Sequence, residues 1–155
     1  MKLLADTSAL IALFLPGEKN HRRAADIGRR RPEPEFVLTE LILGELATRL
    51  RVLAGVHRAV AIANDVLRSS RYQLVFTDRD LLNGGLEKMA RFSDKRLSLT
   101  DCVSFELMEK LGLPAAFTFD RDFRDCGYGT VPSSFAAATV ALSSSIDRTT
   151  PPRTT

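Results

Sequence analysis

Histidine and cysteine are scarce in this chain of 155 residues, which has two of each. Cys102 and Cys126 stand far apart, with no Cys-x-x-Cys and no Cys/His ligand spacing. That pattern speaks against a zinc site. Both thiols are expected to be small buried or half-buried side chains without a disulfide. His21 and His57 lie in arginine-flanked stretches, His21-Arg22-Arg23 and His57-Arg58, and read as surface residues rather than catalytic bases. Three signatures of common chemistry are missing: the G-x-x-x-x-G-K-[ST] phosphate loop, a G-x-G-x-x-G after a strand, and the G-x-S-x-G nucleophile elbow. After Asp6-Thr7-Ser8 there is no second aspartate of the kind an aspartyl-nucleophile phosphatase wants two positions on. No apolar run reaches the length of a membrane span. At the start, Lys2 alone precedes an apolar stretch that Asp6 interrupts, unlike a signal peptide. The expectation is a soluble cytoplasmic protein with no membrane partner. Charge of one sign is also in short supply, at a net of +3. That is compatible with nucleic acid, and equally with an ordinary solvated surface.

What is present is an alternation of short apolar runs and helical patterns. Leu3 to Ala5 reads as a buried strand, followed by a helix from Thr7 or Ser8 to about Leu15, with those two hydroxyl residues as N-cap candidates. Pro16-Gly17 breaks it. A helix over about 20–30 comes next, then a strand at Phe36-Val37-Leu38. Thr39 caps a helix over about 40–53, and Gly55 separates it from another over about 58–69. Gln73 to Phe76 is a third strand. Asp78 caps a helix through about Arg91, with Leu86, Met89, Ala90 and Phe92 as its apolar face. Leu97 to Asp101 leads into a helix that ends at Gly112. Ala115 to Phe119 is a fourth strand, with a loop or helical turn beyond it and a last short strand near Thr130-Val131. This order predicts an α/β sandwich with a mainly parallel sheet. One domain is expected over 1–135, and the Ser/Thr/Ala/Pro-rich stretch 136–155 reads as a weakly structured tail.

Four acids fall at equivalent places in that alternation. Asp6 follows the first strand, Glu45 lies on the helix after the second, Asp101 opens a helix, and Asp120 follows the fourth strand. In a parallel sheet they converge on one edge, where ligands bind in such folds. A carboxylate cluster without His or Cys selects a hard cation, Mg²⁺ or Mn²⁺. Such an ion can activate water for phosphodiester cleavage. Each acid also has an ordinary role open to it. Asp6 and Asp101 can be helix caps, Glu45 can pair with Arg49, and Asp120 and Asp122 can make Asx turns.

Four segments carry a family resemblance: Leu4-Ala5-Asp6-Thr7-Ser8-Ala9-Leu10, Thr39-Glu40-Leu41-Ile42-Leu43-Gly44-Glu45-Leu46, Leu97-Ser98-Leu99-Thr100-Asp101-Cys102, and Phe117-Thr118-Phe119-Asp120-Arg121-Asp122-Phe123. In this order the chain, over about 1–132, resembles the PIN-domain ribonucleases, most closely the VapC-like toxins of toxin–antitoxin pairs. The resemblance implies a three-layer α/β/α sandwich and a Mg²⁺- or Mn²⁺-dependent endoribonuclease. Asp6 and Asp101 would be direct metal ligands, with Glu45 and Asp120 completing the cluster or acting through bound water. Asp122 is a rival for the fourth place. Thr7, Ser8 and Thr118 would hydrogen-bond the carboxylates, and Glu40 would flank the helix or reach the site's edge. Implied partners are an RNA substrate, a cognate antitoxin and a second copy of the chain. Helix faces around Leu41 to Leu53 and Val60 to Leu67 could serve those protein contacts, although core packing is the preferred role for most of these residues. Arg22, Arg23, Arg49, Arg51, Arg58, Arg68 and Arg71 are candidates for phosphate contacts or plain surface charge. The alternatives are a PIN nuclease for RNA processing or DNA ends, and a non-enzymatic α/β binding domain.

Overall fold

A computed structural model describes residues 1–30 and 32–132. The expected tail over 136–155 and the domain limit at 135 lie outside these residues. Five strands form one sheet: β1 (Lys2–Ala5), β2 (Glu35–Thr39), β3 (Tyr72–Val75), β4 (Ala116–Phe117) and β5 (Thr130–Val131). Their order is β3-β2-β1-β4-β5, and every pairing is parallel. Seven helices among the described residues cover it: α1 (Thr7–Phe14), α2 (His21–Gly28), α3 (Glu40–Ala54), α4 (Val56–Arg68), α5 (Arg79–Arg91), α6 (Leu99–Leu111) and α7 (Arg121–Asp125). The result is the expected α/β/α sandwich.

β1 is the central strand, and Leu3, Leu4 and Ala5 are fully buried. A short run that is apolar on both faces is what a parallel strand covered by helices requires. Phe36 on β2 and Phe117 on β4 reach each other across β1, with ring centroids 5.2 Å apart. The chain builds outward from β1 in one direction through β2 and β3, then returns to add β4 and β5 on the other side. The switch point therefore lies between β1 and β4, and their carboxyl ends carry Asp6 and Thr118.

Helix starts set the local geometry. Asp6, with extended backbone angles, is the N-cap of α1 and accepts from the Ser8 N–H. The cap is thus the acid itself, not Thr7 or Ser8. Thr39 caps α3 and Asp78 caps α5, as expected. α6 begins two residues earlier than expected, at Leu99, because Ser98 and Asp101 form a capping box. Asp101 therefore sits inside the first turn. Gly112, at φ 61°, ends this helix in the left-handed conformation that glycine adopts without strain. β4 is shorter than predicted: Thr118 N–H still bonds Val131 O at 3.2 Å, but Phe119 N–H turns away to the Ser8 hydroxyl oxygen.

The helix faces divide. Ile42, Leu46, Leu50, Ile62 and Val66 are core, whereas Leu53, Val60 and Leu67 are about half exposed. On α5 the prediction of an inner Leu86 is wrong: Leu86 is exposed, and Leu81, Gly85 and Lys88 face inward. The cause is a close approach of α5 to α6. A β-carbon at Gly85 would meet Val103 Cγ2 at 2.6 Å and the Val103 backbone nitrogen at 3.1 Å. One turn on, the buried Lys88 ammonium pairs with Glu106 at 3.1 Å and Glu109 at 2.7 Å. Tyr128 donates its hydroxyl to the same Glu109 at 2.7 Å. Glycine contact and ion pair together fix α6, and with it Asp101. No helix among the described residues is long and apolar enough to cross a membrane.

Candidate active site

Asp6 stands at the carboxyl end of the central strand and is 7 % exposed. Its backbone N–H continues the sheet ladder to Phe117 O at 3.0 Å. Its Oδ2 accepts from the Ser8 hydroxyl, from Ser8 N–H at 3.2 Å and from the Thr118 hydroxyl at 2.9 Å. Thr118 and Ser8 also order the backbone beyond β4. The Thr118 hydroxyl oxygen accepts from Asp120 N–H at 2.9 Å, and Ser8 Oγ accepts from Phe119 N–H at 3.0 Å. The Asp120 Oδ1 in turn accepts from Asp122 N–H at 2.9 Å, capping α7.

The other two acids come from helices. Asp101 Oδ2 accepts from Ser98 N–H at 2.9 Å and from the Ser98 hydroxyl at 2.8 Å. Glu45 Oε2 accepts from the Thr7 hydroxyl at 3.1 Å, so the residue next to Asp6 holds it. That bond favours a role for Glu45 at the sheet edge over the expected alternative of pairing with Arg49.

The four carboxylates share a design. Each is anchored by protein donors on one oxygen: Oδ2 of Asp6, Oδ2 of Asp101, Oδ1 of Asp120 and Oε2 of Glu45. The second oxygen of each accepts no hydrogen bond among the described residues. Burial raises the carboxyl pKa of Asp6 above its ordinary value, and the charge of Asp120 adds to this. Burial likewise raises that of Asp101, where the charges of Asp6 and Asp120 both contribute. Three acids thus feel one another's charge at the switch point. Like charges held this way need a cation to stay ionised together. Hard carboxylate oxygens suit Mg²⁺ or Mn²⁺. Among the described residues, no three acids already close on one point as a ligand set. The fit lies in donor chemistry and in the four free oxygens.

The profile of the PIN domain family matches residues 3–127. The chain belongs to that family. It is a PIN-domain nuclease. It is 30 % identical over 126 residues to the 23S rRNA-specific endonuclease VapC20 of Mycobacterium tuberculosis, in two strains; the match covers 81 % of this chain and 95 % of the relative. The crystal structure of M. tuberculosis VapC20, a sarcin–ricin loop cleaving toxin, superposes with a TM-score of 0.74 at 28 % identity, covering 81 % of this chain and 95 % of that one.

Other residues of this PIN domain fall into place around the acids. Glu40 accepts from Thr77 N–H at 2.9 Å and from the Thr77 hydroxyl at 3.0 Å, which ties the start of α3 to the turn after β3. The charge of Asp122 reaches the Cys126 thiol and helps burial raise that thiol's pKa. Arg71 lies at the opposite edge of the sheet, with its guanidinium bonded to Gly28 O at 3.0 Å and set over the Phe36 ring. His21 is half-buried, not a plain surface residue, and its Nδ1 bonds Ala12 O at 2.8 Å. Both cysteines are free, and burial pushes the Cys102 thiol up to about 11. Sequence reasoning missed Ser98 as the anchor of Asp101, although the spacing Ser98-x-x-Asp101 was a capping-box signal. It also missed Lys88, whose burial no periodicity could reveal.

Proposed function

We propose that this PIN domain is a divalent-metal-dependent endoribonuclease and the toxin of a type II toxin–antitoxin pair. The observation that carries the reading is the set of four acids at the β1/β4 switch point, each held on one oxygen and, among the described residues, free on the other. Asp6 and Asp101 would hold a Mg²⁺ or Mn²⁺ ion, with Glu45 and Asp120 beside them. Asp120 would take the fourth place rather than Asp122, because its N–H bonds the same Thr118 hydroxyl that holds Asp6. When bound, the ion supplies a Lewis acid and an activated water for hydrolysis of an RNA phosphodiester. Ser8, Thr118, Ser98 and Thr7 fix the carboxylates' rotations, so that the site does not reorganise when substrate arrives.

Ribosomal RNA is the substrate class that the VapC20 relatives point to. The exposed apolar side chains Val52, Leu53, Val56 and Val60 on α3 and α4 support a protein partner there, a second copy or a cognate antitoxin. Such a pair would act in the cytoplasm.

The test is cleavage of purified 23S rRNA with Mg²⁺ or Mn²⁺ by the wild type and by Asp6→Asn. Cleavage that needs the ion and is lost in the variant is expected. Equal cleavage by both proteins would remove Asp6 from the site.

A further inference from the structure

Beside Asp120 lies a cavity of about 170 Å³, walled by three arginines: Arg23 from α2, and Arg121 and Arg124 from α7. Thr118, Phe119 and Asp120 complete that side of the wall. Arg121 and Arg124 are three positions apart, which sets them on one side of their short helix. The Arg23 guanidinium lies over the Phe119 ring, 5.4 Å from its centroid. Phe119 is itself fixed: its N–H donates to Ser8 Oγ, and its ring meets the buried Phe117 at 6.3 Å. Ser8 therefore holds both the Asp6 carboxylate and the backbone that carries the platform under Arg23. Arg124 has an exposed ion pair with Asp125 at 3.8 Å, a weak competitor for its charge.

Three arginines lining so small a volume call for an anion, as the neighbouring acids call for a cation. Guanidinium is the side chain whose planar fork matches phosphate oxygens. We propose that this cavity is a subsite for a backbone phosphate of the RNA strand, next to the one that is cut. The proposal rests on the nuclease reading of the acid site. Bound there, a phosphate sets the register of the strand against Asp120 without reading a base. The residues that do this are Arg23, Arg121 and Arg124, of which only Arg23 stood out in the sequence.

The experiment uses Arg23→Gln, Arg121→Gln and Arg124→Gln in the full chain, with Lys2→Gln at the far edge of the sheet as control. Cleavage of 23S rRNA gives kcat and KM. Binding of a twelve-nucleotide single-stranded RNA in EDTA, over a range of salt, gives the slope of log affinity against log salt. Each arginine variant should raise KM about tenfold, as removal of a charge-assisted bond does, with kcat within about twofold. The salt slope should fall by about 0.7 for each phosphate no longer neutralised. Lys2→Gln should change neither. Wild-type KM and slope in all three arginine variants would overturn the subsite, even if cleavage remains Asp6-dependent. Conversely, altered slopes in a protein that cuts no RNA would retain the phosphate site and reject the nuclease reading.

Discussion

The Thr118 hydroxyl donates to Asp6 Oδ2 at 2.9 Å, joining residues 112 positions apart in the chain. The Thr118 hydroxyl oxygen in turn accepts from the Asp120 N–H, so one side chain connects two acids across the β1/β4 crevice. Thr118→Val keeps the shape and removes both bonds. We expect metal affinity or kcat to fall about 10–100-fold, with Thr118→Ser restoring most of it. Isothermal titration and cleavage rates would check this. Wild-type behaviour of the valine variant would show that the hydroxyl does not position Asp6.

The raised pKa values of Asp6 and Asp101 carry a sign for stability. A carboxyl whose folded-state value is raised favours the folded chain while it is protonated. That contribution is complete below the ordinary value of 3.8 and is lost as pH rises through the raised value. At neutral pH without metal both groups therefore weaken the fold, and Asp6→Asn should melt a few degrees higher than the wild type. A divalent ion should reverse the order, because it binds only the folded acid cluster. Ion at one hundred times its Kd would add about 2.7 kcal/mol to the wild type. Thermal melts with EDTA and with Mg²⁺ or Mn²⁺ decide it. A variant that gains as much from the ion as the wild type would show that Asp6 is not a ligand.

Gly85→Ala tests the seating of α6. Alanine is the better helix former by about 1 kcal/mol. Against this, its β-carbon would press on Val103, a β-branched residue with one preferred rotamer in a helix. Overpacking of this kind costs about 1–3 kcal/mol, so a net loss of stability is expected. Urea unfolding would measure it. A stabilised variant would mean that α5 can move off α6 freely.

Ser98→Ala removes the cap of α6 and one donor to Asp101. The cap alone is worth about 1 kcal/mol. We expect that loss in urea unfolding, together with a several-fold drop in cleavage. Ser98→Thr, which keeps the hydroxyl, should recover both. A stability loss with unchanged cleavage would confine Ser98 to a structural role.

Much of this was legible in the residues. Asp6, Glu45, Asp101 and Asp120 were marked by where they fall relative to strands and helix starts, and topology alone brings the carboxyl ends of β1 and β4 together. The resemblance of four short segments to PIN domains reached the same acids. The features that were not legible depended on distances between elements. The inward turn of Lys88 accompanies the close approach at Gly84 and Gly85 that lets α5 touch α6, and apolar periodicity placed Leu86 there instead. α6 starts earlier than expected because Ser98 and Asp101 satisfy each other in a capping box, which makes Ser98 the cap and puts Asp101 inside the first turn. Arg121 and Arg124 were passed over because their motif was read for its acids.

The bond between Asp6 and Thr118 also orders events in time. Proteins emerge from the ribosome amino end first, and Asp6 is among the first residues made. Its supporting hydroxyl, and the acids at 101 and 120, come from the last third of the described residues. While it is still being made, the chain has a central strand but no assembled acid cluster. A chain cut short before Thr118 would leave Asp6 without its cross-strand support. Competence for cleavage would then arrive only when the fourth strand docks, which keeps the nuclease silent until its chain is nearly complete.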